Sequence, residues 1–157
     1  MFNAKNGHLS GLKQLLLISF VLLETASFGQ NPCPKCDIET VKEIRLHRHN
    51  LTDEIVFKFL CTFDESCIDN AEYSQASNGT IFDLLDIATD LFFRVLDRDN
   101  VNVKQILTEI EDPIHDGIDI QMCYDRVTNL DKSRKYRKEV LAALDIASER
   151  SNLKIRK

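Results

Sequence analysis

Residues 80–96 read TIFDLLDIATDLFFRVL. Ile81, Leu84, Leu85, Ala88, Leu91, Phe92, Val95 and Leu96 recur every three or four positions, the spacing of one face of an α-helix. Phe82, Ile87 and Phe93 widen that stripe, so this helix is expected to be the most buried, with Leu85, Leu91, Phe92 and Val95 almost fully inside. Thr80 opens it, and Asp83, three residues on, makes a partial capping box. Asp97-Arg98-Asp99-Asn100 then reads as a tight turn.

The flanking sequence keeps the helical period. Upstream, Val41, Ile44, Leu51, Ile55 and Phe59 predict one long helix over residues 38–62, with a weak point at His47-Arg48-His49-Asn50 where a bend is expected. Residues 63–79 are polar and aperiodic and read as a long connection. Downstream, Val103, Ile106, Leu107 and Ile110 mark a third helix that Pro113 and Gly117 stop. Ile120, Cys123, Tyr124, Val127 and Leu130 mark a fourth segment. Ser133 is expected to cap a last helix carrying Tyr136, Val140, Leu144 and Ala147 inward. No strand alternation bounded by turn dipeptides occurs. The expected fold is all-α: a small, cytokine-like up-and-down bundle of four to five helices with one long crossover loop, stapled by disulfides.

The first residues carry a different signal. Lys5 and Lys13 precede Leu15 to Leu23, nine unbroken apolar residues, and Ser27 and Gly29 stand at the third-last and last positions of a short segment after it. That is the order of a signal peptide over 1–29, cleaved after Gly29. A membrane anchor is the competing reading, but a bilayer core about 30 Å thick asks for roughly 20 apolar residues. The remaining 128 of the 157 residues, 30–157, suit a single secreted domain with no membrane insertion. Charge is uneven along it: residues 30–125 hold 8 basic and 20 acidic side chains, residues 126–157 hold 10 and 4. A net-acidic secreted domain makes nucleic acid an improbable partner. The basic C-terminal third reads either as a solvated helix face or as a contact for an acidic partner.

Cys33, Cys36, Cys61, Cys67 and Cys123 all follow the expected cleavage point, and in an oxidising compartment they should pair. Five is odd, so one is left over or pairs between chains. Cys33-Pro34-Lys35-Cys36 invites a redox or zinc reading, but no strand pattern precedes it and only His47 and His49 are near as further ligands. Structural disulfides are the better account, with no metal and no cofactor. Asn50-Leu51-Thr52 and Asn78-Gly79-Thr80 are glycosylation sequons, which would place both Asn50 and Asn78 on the surface. There is no nucleophile motif, no phosphate loop and no His pair at helical spacing. His115 beside Asp116 is too common a pair to suggest catalysis, so the chain is expected to bind and not to be an enzyme.

Cys36-Asp37-Ile38 followed by Phe57-Lys58-Phe59-Leu60-Cys61 resembles the first helix of vertebrate interferons. Thr80-Ile81-Phe82-Asp83-Leu84-Leu85 with Asp90-Leu91-Phe92-Phe93 is similar to their second helix, and Leu107 through Cys123 and Val127 to their third. The chain is about one helix shorter than that pattern, and no cysteine follows Cys123. The resemblance implies a secreted helical cytokine, monomeric or weakly dimeric, that signals by binding a cell-surface receptor ectodomain. It also implies a Cys36–Cys123 disulfide, which leaves Cys61 to pair with Cys67 and Cys33 as the spare thiol; Cys33 is close enough to exchange roles with Cys36. Helical cytokines dock through their first and last helices. Exposure and local charge then point to Arg134, Arg137 and Lys138 as receptor contacts. The alternative function is a non-signalling secreted bundle, either a carrier of an apolar ligand or a gamete-surface binding protein. An apolar interior cavity would favour the carrier.

Overall fold

The structure is a computed structural model that describes residues 33–157. The expected signal peptide, residues 1–29, lies outside the described residues. The described chain contains seven α-helices, one 3-10 turn and no strand. In chain order they are α1 (Ile38–Leu46), α2 (Asp53–Leu60), the 3-10 turn Glu65–Asp69, α3 (Ala71–Ile87), α4 (Thr89–Leu96), α5 (Val103–Glu111), α6 (Ile120–Thr128) and α7 (Arg137–Arg150). It is a small, disulfide-stapled helical bundle, built from more and shorter helices than the periodicity suggested.

Both long helices expected from the sequence are broken. The first stops at His47, and Thr52 starts α2 anew by accepting a hydrogen bond from the Ile55 N–H. The residues between offer no apolar side chain before Leu51, so nothing holds them on the course of α1. The second breaks at Ala88, with φ −143° and ψ 38°, where the Thr89 hydroxyl donates to the Leu85 carbonyl. The two breaks match: α1 packs on α3 and α2 on α4. α3 also touches α5 and α6, and α7 closes the other side against α5 and α6.

The break at Ala88 resets the helical phase. Leu85, Phe92 and Val95 are fully buried as expected, but Leu91 is only half-buried and Phe93 takes its place inside. The polar segment expected as a loop is also helical. α3 begins at Ala71, nine residues before Thr80, so Thr80 is an interior position and not a cap. Asn70 supplies the cap, accepting from the Tyr73 N–H. Tyr73, Ser77, Thr80 and Leu84 continue the buried stripe at helical spacing, but two of them are polar, which hid the period. Tyr73 shares a 2.6 Å hydrogen bond with Thr62 and packs edge-on to Phe63, which packs on Phe59.

The last helix starts later than expected. Ser133 lies in a turn, its N–H held by Asp131, and Tyr136 in the left-handed region (φ 63°) precedes α7 without a side-chain cap. Val140, Leu144 and Ala147 do face inward, fully buried. Asp37, Asn102 and Asp119 cap α1, α5 and α6 by accepting from Glu39, Gln105 and Met122 N–H groups.

Candidate functional site

The cysteines pair differently from the pattern that the interferon resemblance implied. Cys33 bonds Cys61, and Cys36 bonds Cys67. Cys36 has a left-handed backbone (φ 54°), which folds the chain back on itself. Its N–H then donates to the Thr62 carbonyl, and Lys35 Nζ donates to the Cys61 carbonyl. Residues 33–36 thus lie along residues 61–67, and each cysteine takes the partner opposite it. Neither Cys36–Cys123 nor Cys61–Cys67 forms, and Cys33 is not the spare thiol. Cys123 is: it sits buried on α6 with its S–H directed at the Phe82 carbonyl of α3, and burial pushes its pKa up to about 12. Cys33 and Cys36 belong to separate disulfides, so they do not act as a dithiol or a zinc pair. Among the described residues no three His, Cys, Asp or Glu side chains are grouped to hold a metal ion.

The sequons part company. Asn50 is exposed in the α1–α2 connection. Asn78 is fully buried, which corrects the expectation that it lies on the surface. Its Nδ2 donates to the Glu109 carbonyl at 2.8 Å and the Asp112 carbonyl at 3.1 Å, and its Oδ1 accepts from the Ile114 N–H at 3.0 Å. The side chain therefore closes the open end of α5, and no room remains for a glycan. Glu109 lies beside it, and burial raises its pKa above the usual carboxylate range.

The three basic residues expected to contact a receptor differ in exposure. Arg137 is half-buried and donates to the Val127 and Thr128 carbonyls at the end of α6. Arg134 is held by Asp90 of α4. Only Lys138 of the three is exposed. Arg134 and Arg137 are less exposed than expected of receptor contacts, because both side chains fold back to bind elements N-terminal to α7.

The groove that stands out lies elsewhere, between the end of α1 and the C-terminal half of α3. Ile44, Leu51, Leu84 and Ile87 form its floor, with Arg45, Arg48 and Asp83 on the rim, and its volume is about 200 Å³. Arg45 reaches across it, Nε donating to Thr80 Oγ1 and Nη2 to the Ala76 carbonyl, both at 2.9 Å. Gly79 lies close to the His115 ring: a Cβ there would stand a tight 3.2 Å from it, and at an ordinary 3.6 Å from Arg45 Nη2. His115 itself donates Nε2–H to the Gln75 carbonyl at 2.9 Å, which ties the segment before α6 to α3. Most arginines form salt bridges: Arg94 with Asp53 and Asp90, Arg98 with Asp53, Arg126 with Asp86, Arg150 with Asp112. Arg45 and Arg48 form none among the described residues. Leu46, beside them, is 80% exposed. Sequence reasoning missed this site because it depends on the bend after α1, which brings Leu51 back towards α3. A clue was the weak helical stretch with two unpaired arginines around it.

Fold and groove together define a small disulfide-stapled all-α protein with an apolar-floored surface groove rimmed by Arg45, Arg48 and Asp83. No protein-family model, curated protein or solved structure matches the chain.

Proposed function

We propose that this is a secreted protein that works by docking a protein partner, as a helical cytokine engages a cell-surface receptor ectodomain. The observation that carries the reading is the groove: a cleft with Ile87 exposed and Leu51 half-buried, whose rim carries Asp83 and two arginines without salt-bridge partners among the described residues, on a chain of net charge −5. A few apolar and arginine anchors commonly supply most of an interface's energy. Two disulfides suit an oxidising compartment, and no described helix is long and apolar enough to cross a membrane.

The carrier alternative calls for an apolar interior cavity, which the aromatic side chains could line. Instead Phe92 and Phe93 pack edge to face at 5.6 Å, and Phe59, Phe63 and Tyr73 pack on one another. The clefts found lie at the surface with charged residues in their linings. The proposal stays at the level of a helical cytokine because the disulfide implied by the interferon resemblance is not formed. The test is a binding screen of the purified protein against receptor ectodomains, with Arg48→Glu run in parallel. The expected result is a partner whose affinity falls about tenfold in the variant and weakens with salt. No partner, or one indifferent to both Arg48→Glu and Ile87→Asp, would overturn it.

A further inference from the structure

At the other end of α1 the surface has the opposite character. Ile68 is 82% exposed on the 3-10 turn, more than any other large apolar side chain of the described residues. Exposed Glu65, Asp69 and Glu72 surround it in sequence. Among the described residues Asp69 and Glu72 form no salt bridge, and Glu65 pairs with the exposed Lys104 at 3.6 Å. The turn is held rigid. Neighbouring Cys67 is bonded to Cys36, and Asp64 accepts from both the N–H and hydroxyl of Ser66. This knob, an exposed apolar side chain flanked in sequence by three carboxylates, complements an apolar-floored groove whose rim carries Arg45 and Arg48 beside a single carboxylate, Asp83.

Ile68 and the groove lie towards opposite ends of α1. Cys36, which anchors the knob, precedes the first residue of α1, whereas Ile44, Arg45 and Arg48 lie at and beyond its last turn. A nine-residue helix at 1.5 Å per residue keeps these ends roughly 13 Å apart. We propose that the groove receives Ile68 of a second copy of this chain, with Arg45 and Arg48 facing that copy's Asp69 and Glu72. Knob and groove are different surfaces, so the contact is head-to-tail and the assembly keeps a free knob at one end and a free groove at the other. This rests on the docking reading of the groove and names a further occupant for it. A single-residue anchor makes a small interface, so the association should be weak, with Kd on the order of 0.1–1 mM.

Sedimentation equilibrium of the purified protein tests this. The weight-average mass of the wild type should rise with concentration past that of a dimer, and the rise should shrink at 1 M salt as screening shortens. Ile68→Asp and Arg48→Glu, both at exposed positions, should each stay monomeric under the same conditions. Mixed together they should form a one-to-one dimer and nothing larger, because one retains only the groove and the other only the knob. A wild type that stays monomeric to about 1 mM, a variant that associates like wild type, or a mixture that stays monomeric overturns the proposal. If the wild type stays monomeric while Arg48→Glu still loses a receptor ectodomain, only the self-contact falls; if neither binding is seen, the docking reading falls with it.

Discussion

Replacing Asn78 tests the bundle at a point where its chemistry is fully specified. Asn78→Ala removes two donors and one acceptor at once and leaves the Glu109 and Asp112 carbonyls and the Ile114 N–H without a partner. Each hydrogen bond contributes about 1 kcal/mol net, and a buried group left unsatisfied costs about 1–3 kcal/mol. Partial access of water through the end of α5 offsets some of this, so the expected loss is roughly 2–4 kcal/mol. A domain of this size has about 5–15 kcal/mol in all. Melting should drop by about 4 °C per kcal/mol, hence roughly 8–16 °C, and the urea midpoint should fall with an unchanged slope. Asn78→Asp is the sharper variant. Its carboxylate still accepts from Ile114 but cannot donate to the two carbonyls, and it adds charge beside Glu109, so it should be at least as damaging as alanine. If both variants unfold within about 0.5 kcal/mol of wild type, Asn78 is not buried as described. Intact-mass analysis from a glycosylating host gives a second check: a glycan at Asn50 fits the fold, and one at Asn78, whose Nδ2 is inside, does not.

Phe92→Ala should cost about 3–5 kcal/mol by chemical denaturation, since the ring is wholly buried where α4 meets the core. Cys123 should resist thiol reagents in the native protein and react on denaturation; rapid labelling without denaturant would refute its burial. Non-reducing peptide mapping should join Cys33 to Cys61 and Cys36 to Cys67. Converting Cys33 and Cys61 to alanine should cost about 3–4 kcal/mol for a separation of 28 residues, and removing both bonds less than twice that, because the loops overlap. Glu109 has a raised folded-state pKa, so the folded form binds its proton more tightly than the unfolded one does, and ionisation weakens the fold as pH rises through that range. Glu109→Gln should therefore stabilise the protein at pH 7, with an advantage that vanishes as the pH falls below the usual carboxylate range; a constant offset would refute the linkage.

Helix content and most of the core were legible in the sequence by itself. The spacing of Leu84, Leu85, Phe92 and Val95 depends on the 3.6-residue turn, a property of a few neighbouring residues, and so do the turn at residues 97–100 and the stop before Pro113. The tertiary structure decided where helices break and what their polar side chains bind. Nothing local marks Ala88 as a break; it follows from α1 and α2 packing on α3 and α4 in two directions. Asn78 matches a surface sequon letter for letter, and Arg137 looks like an exposed cation. Each is drawn inward by unpaired backbone groups at the end of another helix, more than thirty residues away for Asn78 and about ten for Arg137. The cysteines are the plainest case. Their number set the oxidised frame, but pairing needs Cα atoms within about 4.4–6.8 Å, and that proximity arises only when Cys36 turns the chain back along residues 61–67. Periodicity is short-ranged and survives in the sequence, whereas hydrogen-bond and disulfide partners are set by which distant segments the packed core brings face to face.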